Sequence, residues 1–273
     1  MSLVELLPWR PHPEVWILVV TLAGGYWWSI RRLAPYYAPA GEPPVSPRQV
    51  AGFTAGVLVL WVVSDWPLHD IAEEALVSVH MVEHLVLALI FPPLILVGVP
   101  GWLWRALFEP VIPVLRAVTH PMVGLVVFNT VFAVTHWPPV LAVQNQSEWW
   151  HFLGHLILVW SAFVMFWPVL SPLPEILRLS PFRRIGYLFL NTILPTIPAS
   201  FLTFTDSFLY LDAYPNPERL WGLDRVVDQQ IAGLLMKLGG GVILWTMMTV
   251  IFFRWAAAER NDDLASPTAR IDR

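Results

Sequence analysis

There is no cysteine among the 273 residues. That excludes thiolate metal sites, disulfides and cysteine nucleophiles, and leaves any soft-metal chemistry to histidine and methionine. Charge is nearly as scarce. Asp, Glu, Lys and Arg make up 13% of the chain, against about 25% in a soluble domain. Hydrophobic residues reach 56% and the mean hydropathy is +0.60. Such a composition predicts a polytopic protein whose surroundings are a lipid bilayer, with no nucleic-acid partner. The 26 prolines and 16 tryptophans fit membrane bundles, which tolerate helix breaks and anchor themselves with interfacial indoles. The opening stretch MSLVELLPWRPHPEV lacks a basic n-region and a small-residue cleavage site, so no removable signal peptide is expected.

Apolar runs long enough to cross a ~30 Å hydrocarbon core, about 20 residues each, fall in seven places. They run roughly over 14–31, 48–66, 74–98, 121–137, 148–170, 184–206 and 227–255. The fold class expected is therefore all-α, a seven-transmembrane-helix bundle forming one integral membrane domain over 1–273. The Pro-broken amphipathic segment 101–118 reads as an interfacial or re-entrant piece. The face on which the first run ends carries Arg31, Arg32, Arg48, Arg105, Arg116, Arg178, Arg183, Arg184, Arg254, Arg260, Arg270 and Arg273. The opposite face holds only Arg10, Arg219 and Arg225, with Lys237 inside the last run. The positive-inside rule then places the N-terminus outside and the C-terminus in the cytoplasm. The outer face has the opposite character, with Asp65, His69, Asp70, Glu73, Glu74, His80, Glu83, His84, His136, Glu148, His151, His155, Asp206, Asp212, Asp224 and Asp228.

Two histidine pairs stand out on that face. His80/His84 lie in VSVHMVEHLVLALIFPPL and His151/His155 in SEWWHFLGHLILVW. Residues four apart stack one turn above each other on a helix, with Cβ atoms about 5–6 Å apart, so each pair offers two imidazoles to one ion. The pairs sit at similar depth on like-directed helices, and polar rings in a bilayer are costly without a use. Together they predict a metal site. His136, in THWPPV, is a fifth ligand, a hydrogen-bond partner of the ligands or a plain loop residue. Asp65 and His69 are placed to collect an ion or tune its ligands. Met81 and Glu83 point elsewhere around their helix and are weaker candidates, while His12 and His120 belong to no cluster and read as structural. Pro92 and Pro93 are expected to kink the helix. Gly154 is expected to let another backbone approach. Four imidazoles without thiolate suit copper, as Cu(I) or Cu(II), zinc or iron.

Asp228, Gln229 and Gln230 open the last run, where Asp228 is placed as a cap or first-turn carboxylate. Lys237 lies some ten residues further in, at a depth where a charge must snorkel, deprotonate or pair with Glu83 or Asp228. Seven spans with a lysine in the seventh also describe a retinal-binding rhodopsin, in which Lys237 would carry the chromophore and Glu83 its counter-ion. The outer histidines would then have no role. An intramembrane metalloenzyme would need an open coordination position and a base such as Glu83, and no H-E-x-x-H signature supports it.

HMVEHLVLALIFPPLILVGVP at 80–100, THWPPV at 135–140, EWWHFLGHLILVWSAFVMFWPVLSP at 148–172 and LYLDAYPNPERLWGLDRVVDQQIAGLLMKLGGG at 209–241 together resemble the CtaG-like family of cytochrome c oxidase assembly factors. The resemblance runs from the second span onward and is weak in the first span and the tail. It implies a multi-pass bacterial plasma-membrane protein, not an enzyme, that assists copper delivery to a haem-copper oxidase. Its partners would be oxidase subunits or other copper chaperones, and a homo-oligomer is compatible with it. Carried over to this chain, the family positions are His80, His84, His151, His155, Asp228 and Gln229. The resemblance leaves a copper permease open beside a chaperone.

Overall fold

The computed structural model describes residues 8–215 and 220–265. Of the expected basic residues, Arg219, Arg270 and Arg273 lie outside the described residues. The chain folds as an all-helical protein: α1 Pro13–Tyr37, α2 Pro47–Ser64, α3 Leu68–Glu74, α4 Val77–Gly98, α5 Gly101–Val118, α6 Pro121–Thr135, α7 Pro138–Gln144, α8 Glu148–Leu170, α9 Pro181–Phe204 and α10 Arg225–Asn261. No strand occurs among the described residues. Five of these helices (α2, α4, α8, α9 and α10) are long and apolar enough to cross a membrane, and α5 with α6 makes a sixth span if that pair, bent by 78°, is counted as one. The 25-residue α1 is long enough but not apolar enough to join them. Glu14, Arg31, Arg32 and a Gly-Gly-Tyr-Trp-Trp centre dilute its hydropathy.

The helix starts follow from local chemistry. Ser46 and Gln49 form a reciprocal capping box ahead of Pro47, which opens α2 with a ring already set to helical φ. Ser147 caps α8 by accepting from Trp150 N at 3.3 Å, and Asp224 caps α10 by accepting from Val226 N and Val227 N. The predicted third run is divided. It breaks at Ala75–Leu76, so that α3 stands before the span proper. The kink expected from Pro92 and Pro93 takes the form of a π-helical turn at Val86–Ile90, just before the two rings. A second π turn, Leu235–Gly239, sits in α10. Such turns absorb an extra residue and rotate the face that follows.

Glycines set the closest approaches. A Cβ on Gly98 would stand 2.7 Å from Phe53 Cα and 2.9 Å from Gly52 C, so α4 packs backbone-to-backbone on α2. Gly154 differs from its expected role. A Cβ there would meet the Gln144 side chain rather than a backbone. The core between α2, α4, α6, α8 and α10 is aliphatic and aromatic, with Leu87, Ala88, Leu96, Phe128, Leu158, Met165 and Phe166 buried. The ends of α2 and α6 and the starts of α4, α8 and α10 meet at one end of the bundle, where their contacts build a polar cluster.

Candidate metal centre

That cluster gathers residues from 12 to 155 in the sequence. Ring centroids lie 4.1 Å apart for His80 and His84, 4.3 Å for His151 and His155, and 4.9 Å for His84 and His155. His80 is 5.7 Å from His151 and 6.2 Å from His155. The two pairs predicted from helical spacing therefore form a single group between α4 and α8. His69 from α3 joins it, 5.5 Å from His151. His136, at the end of α6, lies 5.0 Å from His84.

Three side chains here are about 2% exposed: His80, Glu83 and His84. Four of their polar atoms have no hydrogen-bond partner, namely both nitrogens of His80, Nε2 of His84 and Oε2 of Glu83. A buried polar atom without a partner costs about 1–3 kcal/mol. A neutral imidazole has one N–H and one lone pair, so three of the four atoms, one nitrogen of His80, Nε2 of His84 and Oε2 of Glu83, are lone-pair donors that a cation would satisfy. Glu83 was a weak candidate from its place on the helix, yet it is central. Positions i, i+3 and i+4 share a face, so His80, Glu83 and His84 project together, and that spacing was the signal.

The hydrogen bonds fix which nitrogen is bare. His136 is buried without a bonded carboxylate, so its ring is neutral. Its Nδ1–H donates to Phe132 O at 2.6 Å, which leaves Nε2 a lone pair. His84 Nδ1, 3.1 Å from that atom, must then carry a proton and donate. A neutral ring has one N–H only, so His84 presents a bare Nε2 lone pair. Both nitrogens of His136 are thus engaged, and its place is that of an orienting partner to His84. On α8, His151 Nδ1–H points at Glu73 Oε1 at 3.1 Å and Asn145 Oδ1 at 3.4 Å. Its Nε2 faces His155 Nε2 at 3.1 Å.

A carboxylate layer lies beside the imidazoles. Glu83 Oε1 accepts from His69 Nδ1 at 2.9 Å and stands 3.8 Å from His155 Nδ1. Glu73 Oε1 is 3.4 Å from His69 Nε2. The ligand atoms of His69, Glu73 and His151 lie within 4.8 Å of one another, a geometry that admits a metal ion. Burial alone would hold the His69 pKa down, but the charge and hydrogen bond of Glu83, with Glu73 and Asp70 nearby, push it up to about 9. Burial raises the pKa of Glu73, with Glu83 and Asp70 adding to the effect against the opposing pull of His69.

His12 belongs here too, against the structural reading of that residue. Its Nε2 bonds Asp70 Oδ2 at 3.0 Å and its ring lies 5.2 Å from His69. The segment before α1 folds across α3, where Arg10 also pairs with Glu74, a contact spanning some sixty residues that no local pattern reveals. His120 keeps its structural place, capping α6 by accepting from Met122 N at 3.3 Å.

Several other predicted residues have different work. Asp65 accepts from Trp16 and Trp61 indoles at 2.8 and 2.7 Å and from Trp66 N at 2.8 Å; it ties α1 to α2. Asp228 stands in the first turn of α10, as expected, while the cap of that helix is Asp224. Asp228 accepts from Val77 N at 2.8 Å and Ser78 N at 3.1 Å, so α10 caps the span that carries His80 and His84. Gln229 accepts from Leu209 N at 2.7 Å and donates to Ser207 O at 3.1 Å, pinning the preceding loop. Lys237 pairs with neither Glu83 nor Asp228. Its Nζ donates to Thr192 O at 3.1 Å and Thr196 Oγ1 at 2.5 Å, where the break in α9 frees a carbonyl. The cavity lined by Lys237 measures roughly 20 Å³, whereas small-molecule pockets span about 300–1,000 Å³. A retinal chromophore has no room there.

The model of the cytochrome c oxidase caa3 assembly factor family matches residues 24–258. The chain belongs to this family. None of the curated proteins or solved structures compared with it matches. Membership makes this chain an assembly factor for cytochrome c oxidase, implies interaction with that oxidase, and points to a non-catalytic role in a bacterial membrane. The match includes every histidine of the cluster except His12, which with Arg10 lies before the matched segment.

Proposed function

We propose that this assembly factor holds copper in the cluster of His80, His84, His151 and His155 and passes it to the oxidase. Copper is cargo here, so no bond-making step is required. The observation that carries the reading is the set of unpartnered atoms on His80, His84 and Glu83, buried beside the rings of His151 and His155. Neutral imidazole suits copper and zinc, and the oxidase that the family serves is a copper enzyme, which ranks copper above zinc and iron. Asp228, through the start of α4, and His136, through His84, hold the ligands in place. Glu83 adds a carboxylate beside them.

In this reading α1 and the α5–α6 pair complete seven spans. The arginine bias sets the N-terminus and the cluster on the outer side, the side from which periplasmic copper arrives. A chaperone is favoured over a permease by one feature. On α4 no polar side chain follows His84, and Leu87, Ala88 and Leu89 are buried below it, so α4 offers an ion no ligand further along the span.

The test is a strain in which His80 and His84 are both replaced by alanine in the chromosomal gene. Oxidase activity and oxidase copper content should fall, with partial recovery when copper is added to the medium. A fully metallated, fully active oxidase in that strain would contradict the proposal.

A further inference from the structure

Resting on that reading, we infer that the cluster has two stations, an entry station of His69, Glu73 and His151 above the holding site, with His151 as the hand-over residue. The three entry ligands come from α3 and the start of α8, and their donor atoms lie within 4.8 Å of one another. The carboxylate is the most accessible of them. Side-chain exposure is 26% at Glu73, 14% at His69 and 5% at His151; of the holding ligands, His155 is also 14% exposed, while His80 and His84 are about 2% exposed. An ion arriving from water meets the carboxylate first.

His151 faces both stations. Nδ1 points to Glu73 at 3.1 Å and Nε2 points inward to His155 at 3.1 Å. A neutral imidazole has one lone pair, so this ring serves one station at a time. With the proton on Nε2 it binds an entering ion through Nδ1. With the proton on Nδ1, bonded to Glu73, its lone pair turns inward. When the ion moves inward, the Nε2 proton is released to water and Nδ1 takes one up from water beside Glu73, so the ring stays neutral, no proton is gained or lost overall, and no electron moves. Glu83 spans the same gap, its Oε1 on His69 at 2.9 Å and its Oε2 bare. The unpartnered nitrogens of His80 wait directly beyond. Entry and holding also differ in chemistry. The outer set has a carboxylate that draws cations from water, and the inner set is dominated by imidazoles that hold copper more firmly.

The experiment follows copper loading of the purified full chain by stopped flow, with Cu(II) as the only added ion, and measures copper retained after gel filtration. Glu73→Gln keeps shape and hydrogen bonding while removing charge; His69→Gln is a second, independent variant. Each should slow loading by about tenfold or more, as loss of electrostatic capture does, and still retain one copper. Unchanged loading rates with one copper retained would overturn the entry station and leave the holding site standing. Loss of the retained copper in both variants would also overturn it, since these residues would then be holding ligands. A wild-type chain that retains no copper would overturn the proposed function itself.

Discussion

Replacing His136 tests how the holding site is kept in order. His136→Phe preserves volume and an aromatic contact with Phe132, whose ring lies 4.5 Å away. It removes the acceptor for His84 Nδ1 at 3.1 Å and the donor to Phe132 O at 2.6 Å. His84 then has no reason to keep its proton on Nδ1, and the ring is free to turn. Partners of metal ligands change affinity by about 10–100-fold when lost, or roughly 1.4–2.7 kcal/mol. Two buried groups also lose their partners, at about 1–3 kcal/mol each, so the melting temperature should drop as well. His136→Gln offers His84 an oxygen acceptor and should recover much of the affinity. The assay is competition for copper against a chromophoric chelator, with melting followed in the same detergent. Wild-type affinity in His136→Phe would refute the orienting role. A loss far beyond 100-fold that His136→Gln does not rescue would make His136 a direct ligand.

Asp228→Asn should lower the melting temperature, because it weakens the charged cap on Val77 N and Ser78 N by about 1–2 kcal/mol; it should also loosen copper by disturbing the turn that carries His80. Unchanged melting would mean the cap is dispensable. A pH effect follows from His69, whose pKa is raised to about 9 from an ordinary value near 6.5. A raised pKa means that the folded chain favours the imidazolium. The stabilisation is complete below about pH 6.5 and is lost as pH climbs through 9. The copper-free protein should therefore melt progressively lower over that window, and His69→Gln should flatten the profile. A wild-type profile that rises over the same window would refute the assignment.

The helices that cross the bundle were legible because hydropathy and length dominate in lipid. The range 148–170 for α8 is reproduced residue for residue, and its Ser147 cap is a local signal. The third run could not be split in advance. Ala75 and Leu76 are apolar, and nothing in their identity announces that Asp228, some 150 residues away, caps the following helix. The histidine pairs were visible through the four-residue spacing. Glu83 belongs to that same pattern at i+3 from His80, a relation that shares the face as fully as i+4 does. His12 was hidden for a different reason. It reaches α3 by tertiary folding of the segment before α1, and no periodicity encodes a strap. The depth of Lys237 along its run shows that its charge needs a partner, but not which one. Its partner turned out to be backbone exposed by a helix break at Leu194–Pro195, which sequence reading of α9 as one continuous run concealed.

The central claim is that His80, His84, His151 and His155 hold one ion together. Copper K-edge absorption on protein purified without a histidine tag, beside His84→Ala/His155→Ala, tests it most directly. The account predicts one retained copper per chain, surrounded only by nitrogen or oxygen at about 2.0 Å with imidazole scattering, and loss of that copper in the double variant. A sulfur-ligated copper, or equal copper content in the two proteins, would contradict it.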